Sequence, residues 1–255
     1  MYEEMRKEKY ARIALLHCGD KEYSDKKYLE RGIKMLKVVY EDGHILVCFK
    51  PAGVPVQTAS IGRTDLESMV RNYLAEKTGT SVPYLGMIHR LDQPVQGLVV
   101  FAKNKKSAAS LSAQVQDGRM KKYYLAVTDG LPEEKEARLI HYLKKDSRTN
   151  TSACVEKSVP NAKKAELIYR VRETNAQTAH TLVEIELLTG RHHQIRVQMT
   201  ANGTPLVGDT KYNVHADTRT GIGLCAYRLE LLHPGSGKRM EFCCEAQGGA
   251  FEEFF

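Results

Sequence analysis

From Leu36 onward the apolar residues of this chain fall in short runs rich in Val, Ile, Tyr and Phe, the pattern of strands and not of long helical stripes. Lys37–Glu41 and His44–Phe49 are two such runs, and the Asp42-Gly43 pair between them is a strong hairpin signal. Thr64-x-x-Glu67 has the form of a capping box. It predicts a helix whose apolar face is Leu66, Met69, Val70, Tyr73 and Leu74, ended by Gly79. Gly97–Ala102 reads as a buried strand, and Asn104–Val115 as a second helix closed by Asp117-Gly118. Further strands are expected at Lys122–Thr128, Ala137–Leu143, Ala165–Arg172, Thr181–Leu188, Leu224–Leu232 and Arg239–Cys244. A third helix is expected inside Arg191–Ala201, just after Gly190. Most strands are consecutive and helices are few. That argues for an α+β fold, a mostly antiparallel mixed sheet flanked by helices and loops, and against alternating βαβ units.

Residues 1–35 differ from the rest. They are dense in charge of mixed sign, with weak helical periodicity at Tyr10, Ile13, Ala14, Tyr28 and Ile33. They are expected to form an N-terminal helical extension, too short to be a domain. No internal repeat or Pro/Ser-rich linker divides the remainder, so residues 36–255 read as one catalytic-size domain.

Composition sets the class. With 255 residues, 42% apolar and 27% charged, the chain is long enough to bury a full core and too apolar for disorder. Its longest apolar runs, Leu98–Ala102 and Ile45–Phe49, fall far short of the ~20 residues a membrane helix needs. The opening MYEEMRKEKY shows no secretory signal, which makes a cytoplasmic location and no membrane partner the expectation. Lys plus Arg exceeds Asp plus Glu by 38 to 31, a formal charge of +7. Such a balance suits a polyanion, nucleic acid first, although a merely soluble basic protein has the same charge. The six cysteines show no Cys-x-x-Cys spacing, so neither a disulfide framework nor a zinc ribbon is indicated.

Several chemistries lack their motifs. There is no Walker-type or G-x-G-x-x-G loop, and Gly221-Ile222-Gly223 leads into a strand instead of a helix. There is no G-x-S-x-G elbow. His192 and His193 are adjacent, so on a helix they point about 100° apart and cannot share a metal; no metal site is expected.

Three segments place charge beside a strand or tight turn. In His89-Arg90-Leu91-Asp92, followed by Gln93-Pro94 and the strand at Gly97, Asp92 sits at the edge of the core, either a simple turn cap or a controlled carboxylate. In Lys121-Lys122-Tyr123-Tyr124-Leu125, strand alternation turns one tyrosine inward, for core packing or as a platform for a base. In Thr189-Gly190-Arg191-His192-His193-Gln194-Ile195-Arg196, a helical start puts Arg196 one turn from His192, as a surface cation or a partner holding a carboxylate ionised.

Together the three segments resemble the RluA-type pseudouridine synthases, which isomerise uridine in ribosomal or transfer RNA. The likeness runs in order from about Leu36 to Pro234 and takes in Asp42, Lys50-Pro51-Ala52-Gly53, Pro205-Leu206-Val207-Gly208-Asp209 and Tyr212. Val95-Gln96 stands where that family usually has Thr-Ser, and His192, Gln198 and Gln57 replace a common threonine, histidine and histidine. The resemblance implies the pseudouridine synthase fold, and Asp92 as catalytic aspartate with Tyr124 against the flipped base and Arg196 paired with the carboxylate. It further implies that Arg90, with His89, Lys122 and Arg191, serves RNA binding and base flipping. Leu91 and Ile195 are then expected to shape an apolar pocket wall. Lys103, Lys105, Lys106, Arg119, Lys121 and Lys122 are read as phosphate contacts. No cofactor or metal and no obligate protein partner is expected, and a monomer is the family expectation. The competing readings are a non-catalytic RNA-binding protein on the same fold, a glycosidase that releases uracil, and a metal-dependent nuclease, which no acidic cluster supports.

Overall fold

The computed structural model describes residues 36–59, 62–217 and 219–255; the expected helical extension at 1–35 lies outside them. The described strands fall into two compact units. One unit takes the described residues up to Met120 together with Ala226–Glu245, and the other takes Lys121–Cys225 with Ala246–Phe255. The expected domain at 36–255 thus comprises two units, and the α+β class is as the sequence predicts.

In the first unit, β1 (Lys37–Glu41) and β2 (Ile45–Lys50) form the predicted hairpin. Asp42 closes it by accepting from the backbone N–H groups of His44 (2.7 Å) and Ile45 (2.9 Å). β2 pairs antiparallel with one edge of β4 (Gln96–Ala102), and β3 (Gly86–Met87) and β10 (Leu224–Leu232) lie along the other. β11 (Arg239–Cys243) pairs antiparallel with β10. Both β2 and β4 are buried along their whole length, which explains their unbroken apolar runs. Helix α1 (Leu66–Thr78) is capped by Asp65, which accepts from Ser68 N–H, and not by Thr64. Asp65 wins because its other oxygen also accepts from Thr58 N–H at 2.7 Å, tying the preceding loop to the helix. Gly79 ends α1 in the left-handed conformation, as predicted. Helix α2 (Lys105–Gln116) starts at Asn104, whose side chain accepts from Ser107 N–H. Gln114 of α2 is buried and copies a strand neighbour: its amide donates to Leu232 O and accepts from Leu232 N–H, both at 2.7 Å. The core joins Ile45, Val47, Leu98 and Val100 to Leu111, Leu229, Leu231 and Phe242.

In the second unit the strand order is β5-β9-β8-β6-β7, antiparallel throughout. These are β5 (Lys121–Asp129), β6 (Glu136–Asp146), β7 (Thr151–Val155), β8 (Lys163–Thr174) and β9 (His180–Leu187). β7 is an addition to the predicted set: an edge strand of only five residues, led by Thr and Ser, carries little periodic signal. Helix α3 (Gln194–Ala201) packs its Val197 against Leu143 and Ala165. Cys48, Cys154, Cys225 and Cys244 are free thiols, whereas Cys243 is disulfide-bonded, which the sequence pattern did not anticipate. No helix among the described residues is long and apolar enough to cross a membrane.

Candidate active site

Asp92 sits half-buried at the start of the Gln93-Pro94 turn, two residues past an exposed Arg90 and beside a buried Leu91. The turn is braced from below. Lys50, the last residue of β2, is fully buried, and its ammonium donates to three backbone carbonyls: Val54 at 2.7 Å, Pro51 at 3.0 Å and Gln93 at 3.0 Å. Gly53 N–H donates to Gln93 O at 2.9 Å, and the Gln93 amide returns a bond to Gly53 O at 3.1 Å. The Lys-Pro-Ala-Gly loop and the aspartate turn therefore form one clamped body around a cation. Burial pulls the Lys50 pKa down to about 8, against the opposing pull of the Asp92 charge. Immediately beyond the turn, Gly97 has φ +128°, and a Cβ there would lie 2.4 Å from Ala226 O. Only glycine fits. His89, expected to serve RNA binding, is half-buried, and its Nε2 accepts from Val100 N–H of β4 at 3.3 Å.

Arg196 lies in the first turns of α3, buried to 4% exposure. Its Nε and one terminal nitrogen hold Asp209 in a two-pronged pair at 2.8 and 2.6 Å, with Asp209 only 1% exposed. The guanidinium also stacks over the Tyr212 ring, 5.1 Å from its centroid. Tyr212 Oη accepts from Ser152 N–H and shares a hydrogen bond with His193 Nδ1, both at 2.7 Å. His193 is the residue before the helix, in a left-handed conformation at φ 53°. The helix consequently begins later than predicted, and His192 and His193 precede it with rings stacked 3.8 Å apart instead of diverging around it. Burial, together with the charges of Arg196, His192, Lys211 and Lys145, pushes the His193 pKa down to about 3. Gln194 accounts for the Thr-Gly-Arg-x-His-Gln spacing. Its buried amide oxygen accepts from Thr189 Oγ1 (2.8 Å) and Arg191 N–H (3.0 Å), and its nitrogen donates to Glu166 O (3.1 Å).

Of the two tyrosines on β5, Tyr124 is the buried one, opposite Ile185 of β9. Ile195 is buried as well. Lys122 is drawn out of solvent, so burial lowers its pKa, and its ammonium lies near Gly190. Arg191 is exposed and donates to Lys164 O at 2.9 Å. The basic cluster around α2 is largely spoken for. Lys103 donates to Glu41 (2.6 Å) and to Asp42 O, Arg119 pairs with Asp117, and Lys121 lies 3.8 Å from Glu186. Lys105 and Lys106 are exposed on the surface, as is Arg119 beside Asp117. Sequence reasoning named Lys50, Asp209 and Tyr212 only as flanking likenesses and gave them no task. A lysine closing a wholly apolar strand before Pro-Ala-Gly was the available signal for the first.

The fold is that of the pseudouridine synthases. Human RNA Pseudouridylate Synthase Domain Containing 1 superposes with a TM-score of 0.68 at 25% identity, covering 86% of either chain. Human RNA Pseudouridylate Synthase Domain Containing 4 gives the same TM-score at 20% identity, a likeness of fold. The RNA pseudouridylate synthase family model matches residues 44–201, a span that holds Asp92, Tyr124 and Arg196, and the chain belongs to that family. It is 35% identical to ribosomal large subunit pseudouridine synthase D of Nitrosomonas europaea, over 80% of this chain and 60% of that one. It is 34% identical to the protein of that name from Pseudomonas aeruginosa, over 81% and 67%. An RNA pseudouridine synthase of Bacillus subtilis, YhcT, is 31% identical over 78% and 65%. The chain thus spans under two thirds of the length of the Nitrosomonas and Bacillus relatives.

Proposed function

We propose that this chain is an RNA pseudouridine synthase that isomerises specific uridines in structured ribosomal or transfer RNA, with residues 36–255 as its catalytic body. The observation that carries the reading is the Asp92 turn, inside the family match and clamped on a buried cation. The reaction breaks the N1–C1′ bond of uridine, turns the uracil and joins C5 to C1′; C5 loses a proton and N1 gains one. Positive charge develops at C1′, as in glycoside cleavage, and a carboxylate beside the sugar is the natural catalyst. Asp92 takes that part, by attack on C1′ or removal of the C2′ proton. In this reading Tyr124 contacts the base, and Arg196, itself held by Asp209, is the cationic residue of the site. Exposed Arg90 enters the RNA stack and offsets unstacking of a few kcal/mol. The protein acts as a monomer in the cytoplasm without an obligate protein partner.

The test uses RNA from cells that lack the protein, incubated with purified chain and mapped by carbodiimide adducts on pseudouridine. Wild type adds an adduct at a defined uridine, and Asp92→Ala loses at least ~1000-fold of that activity. Unchanged maps with intact RNA binding select the non-catalytic binder; free uracil among the products selects the glycosidase.

A further inference from the structure

The second unit carries a strongly basic rim that the sequence motifs did not single out. β6 pairs with β8 only as far as Leu143↔Lys163, and beyond that point Lys144, Lys145 and Asp146 run on against β7 alone. Lys144, Lys145, Arg148, Lys163, Lys164 and Lys211 are all exposed there. Against them stand few acids. Asp146 is turned back onto the hairpin and accepts from Arg148 N–H at 2.8 Å, and Glu166 is taken up by Arg138 and Lys164. Glu156 is exposed nearby on the loop after β7.

The rim is held in shape. Lys211 Nζ donates to Asn150 O at 2.9 Å, fastening the hairpin turn to the segment beyond Asp209. His192 bonds Ser152 Oγ at 2.9 Å and Asn150 Oδ1 at 3.1 Å, fastening the same hairpin to the residues that precede α3. Arg191 is pinned to Lys164 O, at the start of β8. A pre-positioned row of cations loses little freedom when it meets a polyanion.

We infer that this rim, the end of the β6–β7 hairpin with the start of β8 and Lys211, is the main surface that grips the phosphate backbone of structured RNA. The inference rests on the proposed function for the identity of the polyanion. It moves the phosphate contacts away from the α2 flank, where Lys103, Arg119 and Lys121 already face carboxylates. Folded RNA is recognised mostly through backbone and shape, which a rigid cationic edge suits and a base-reading pocket does not.

The experiment measures affinity of the full chain for a fluorescein-labelled RNA stem-loop across a potassium chloride series, for wild type and for a triple variant Lys144→Gln, Arg148→Gln, Lys163→Gln. None of these three side chains holds another element in place, and thermal unfolding checks that the variant is folded. The variant is expected to weaken binding by roughly tenfold or more and to flatten the slope of log affinity against log salt by about 2–3, at roughly 0.7–0.9 per lost phosphate contact. A slope equal to wild type overturns the inference, as does an equal or larger flattening in the double variant Lys105→Gln, Lys106→Gln. Pseudouridine formation by wild type is scored separately. A flattened slope without pseudouridine rejects the catalytic reading and leaves the surface; pseudouridine with an unchanged slope does the reverse.

Discussion

Each unit buries a cation, Lys50 in the first and Arg196 in the second, and the two are satisfied in different ways. Under the Asp92 turn, Lys50 is surrounded by carbonyl dipoles, so its charge is solvated by three peptide groups and remains titratable near pH 8. On α3, Arg196 meets a full counter-charge, Asp209, in a geometry only a guanidinium makes, and it stays charged at any pH a protein survives. The first arrangement couples loop conformation to a proton. The second couples helix and loop through a fixed ion pair. A lysine could not replace the arginine without losing the fork, and an arginine could not replace the lysine without overfilling the carbonyl cage.

The largest effect is expected from breaking the ion pair. Asp209→Asn removes the charge that the buried guanidinium grips with two bonds and should destabilise the fold by about 3–5 kcal/mol. Equilibrium urea unfolding reads this directly; a loss below ~1 kcal/mol would mean that Arg196 finds other solvation. Next comes Lys50. Its folded pKa lies below the unfolded value, so between pH 8 and the ordinary lysine range the unfolded chain binds more protons, and stability rises with pH. Lys50→Met should remove that rise, which appears as a smaller gain in Tm from pH 8 to pH 10 than wild type shows. Equal gains in the two proteins would deny the buried-cation account. The smallest effect concerns His193, whose pKa near 3 makes the folded state refuse a proton that the unfolded chain takes up below about 6.5. Stability from this residue is present above that pH and is lost as pH falls toward 3. Between pH 6.5 and 5, before the carboxylates protonate, His193→Gln should lose less stability than wild type; parallel curves would refute the assignment.

The strands with strong apolar runs were legible from the sequence because burial on both faces leaves no other pattern, as at Ile45–Lys50 and Gln96–Ala102. β7 and the start of α3 were not. A five-residue edge strand is too short to display a period, and the left-handed His193 is tied to Tyr212 by a tertiary bond that sequence spacing does not encode. For the site, Asp92, Tyr124 and Arg196 were picked out by motif, but the residues that hold them were not. Lys50 and Asp209 lie far along the chain from the groups they brace, and a pair of that kind is visible only once the chain is folded. His89 and Lys103, both expected to meet RNA, also have backbone or carboxylate partners within the first unit that sequence spacing does not show.

The Gln114–Leu232 bridge has a consequence for how the protein is made. β10 and β11 supply Leu229, Leu231 and Phe242 to a core whose other members, Ile45, Val47, Leu98 and Val100, emerge from the ribosome far earlier. Synthesis runs through the whole of Lys121–Cys225 before the missing strands arrive. For that interval the nascent chain presents an open apolar face along β4 and a glutamine waiting for its strand, the kind of surface that chaperones cover. The segment translated in between has nearly all of its own sheet in hand and is free to fold first, so the order of folding runs against the order of translation.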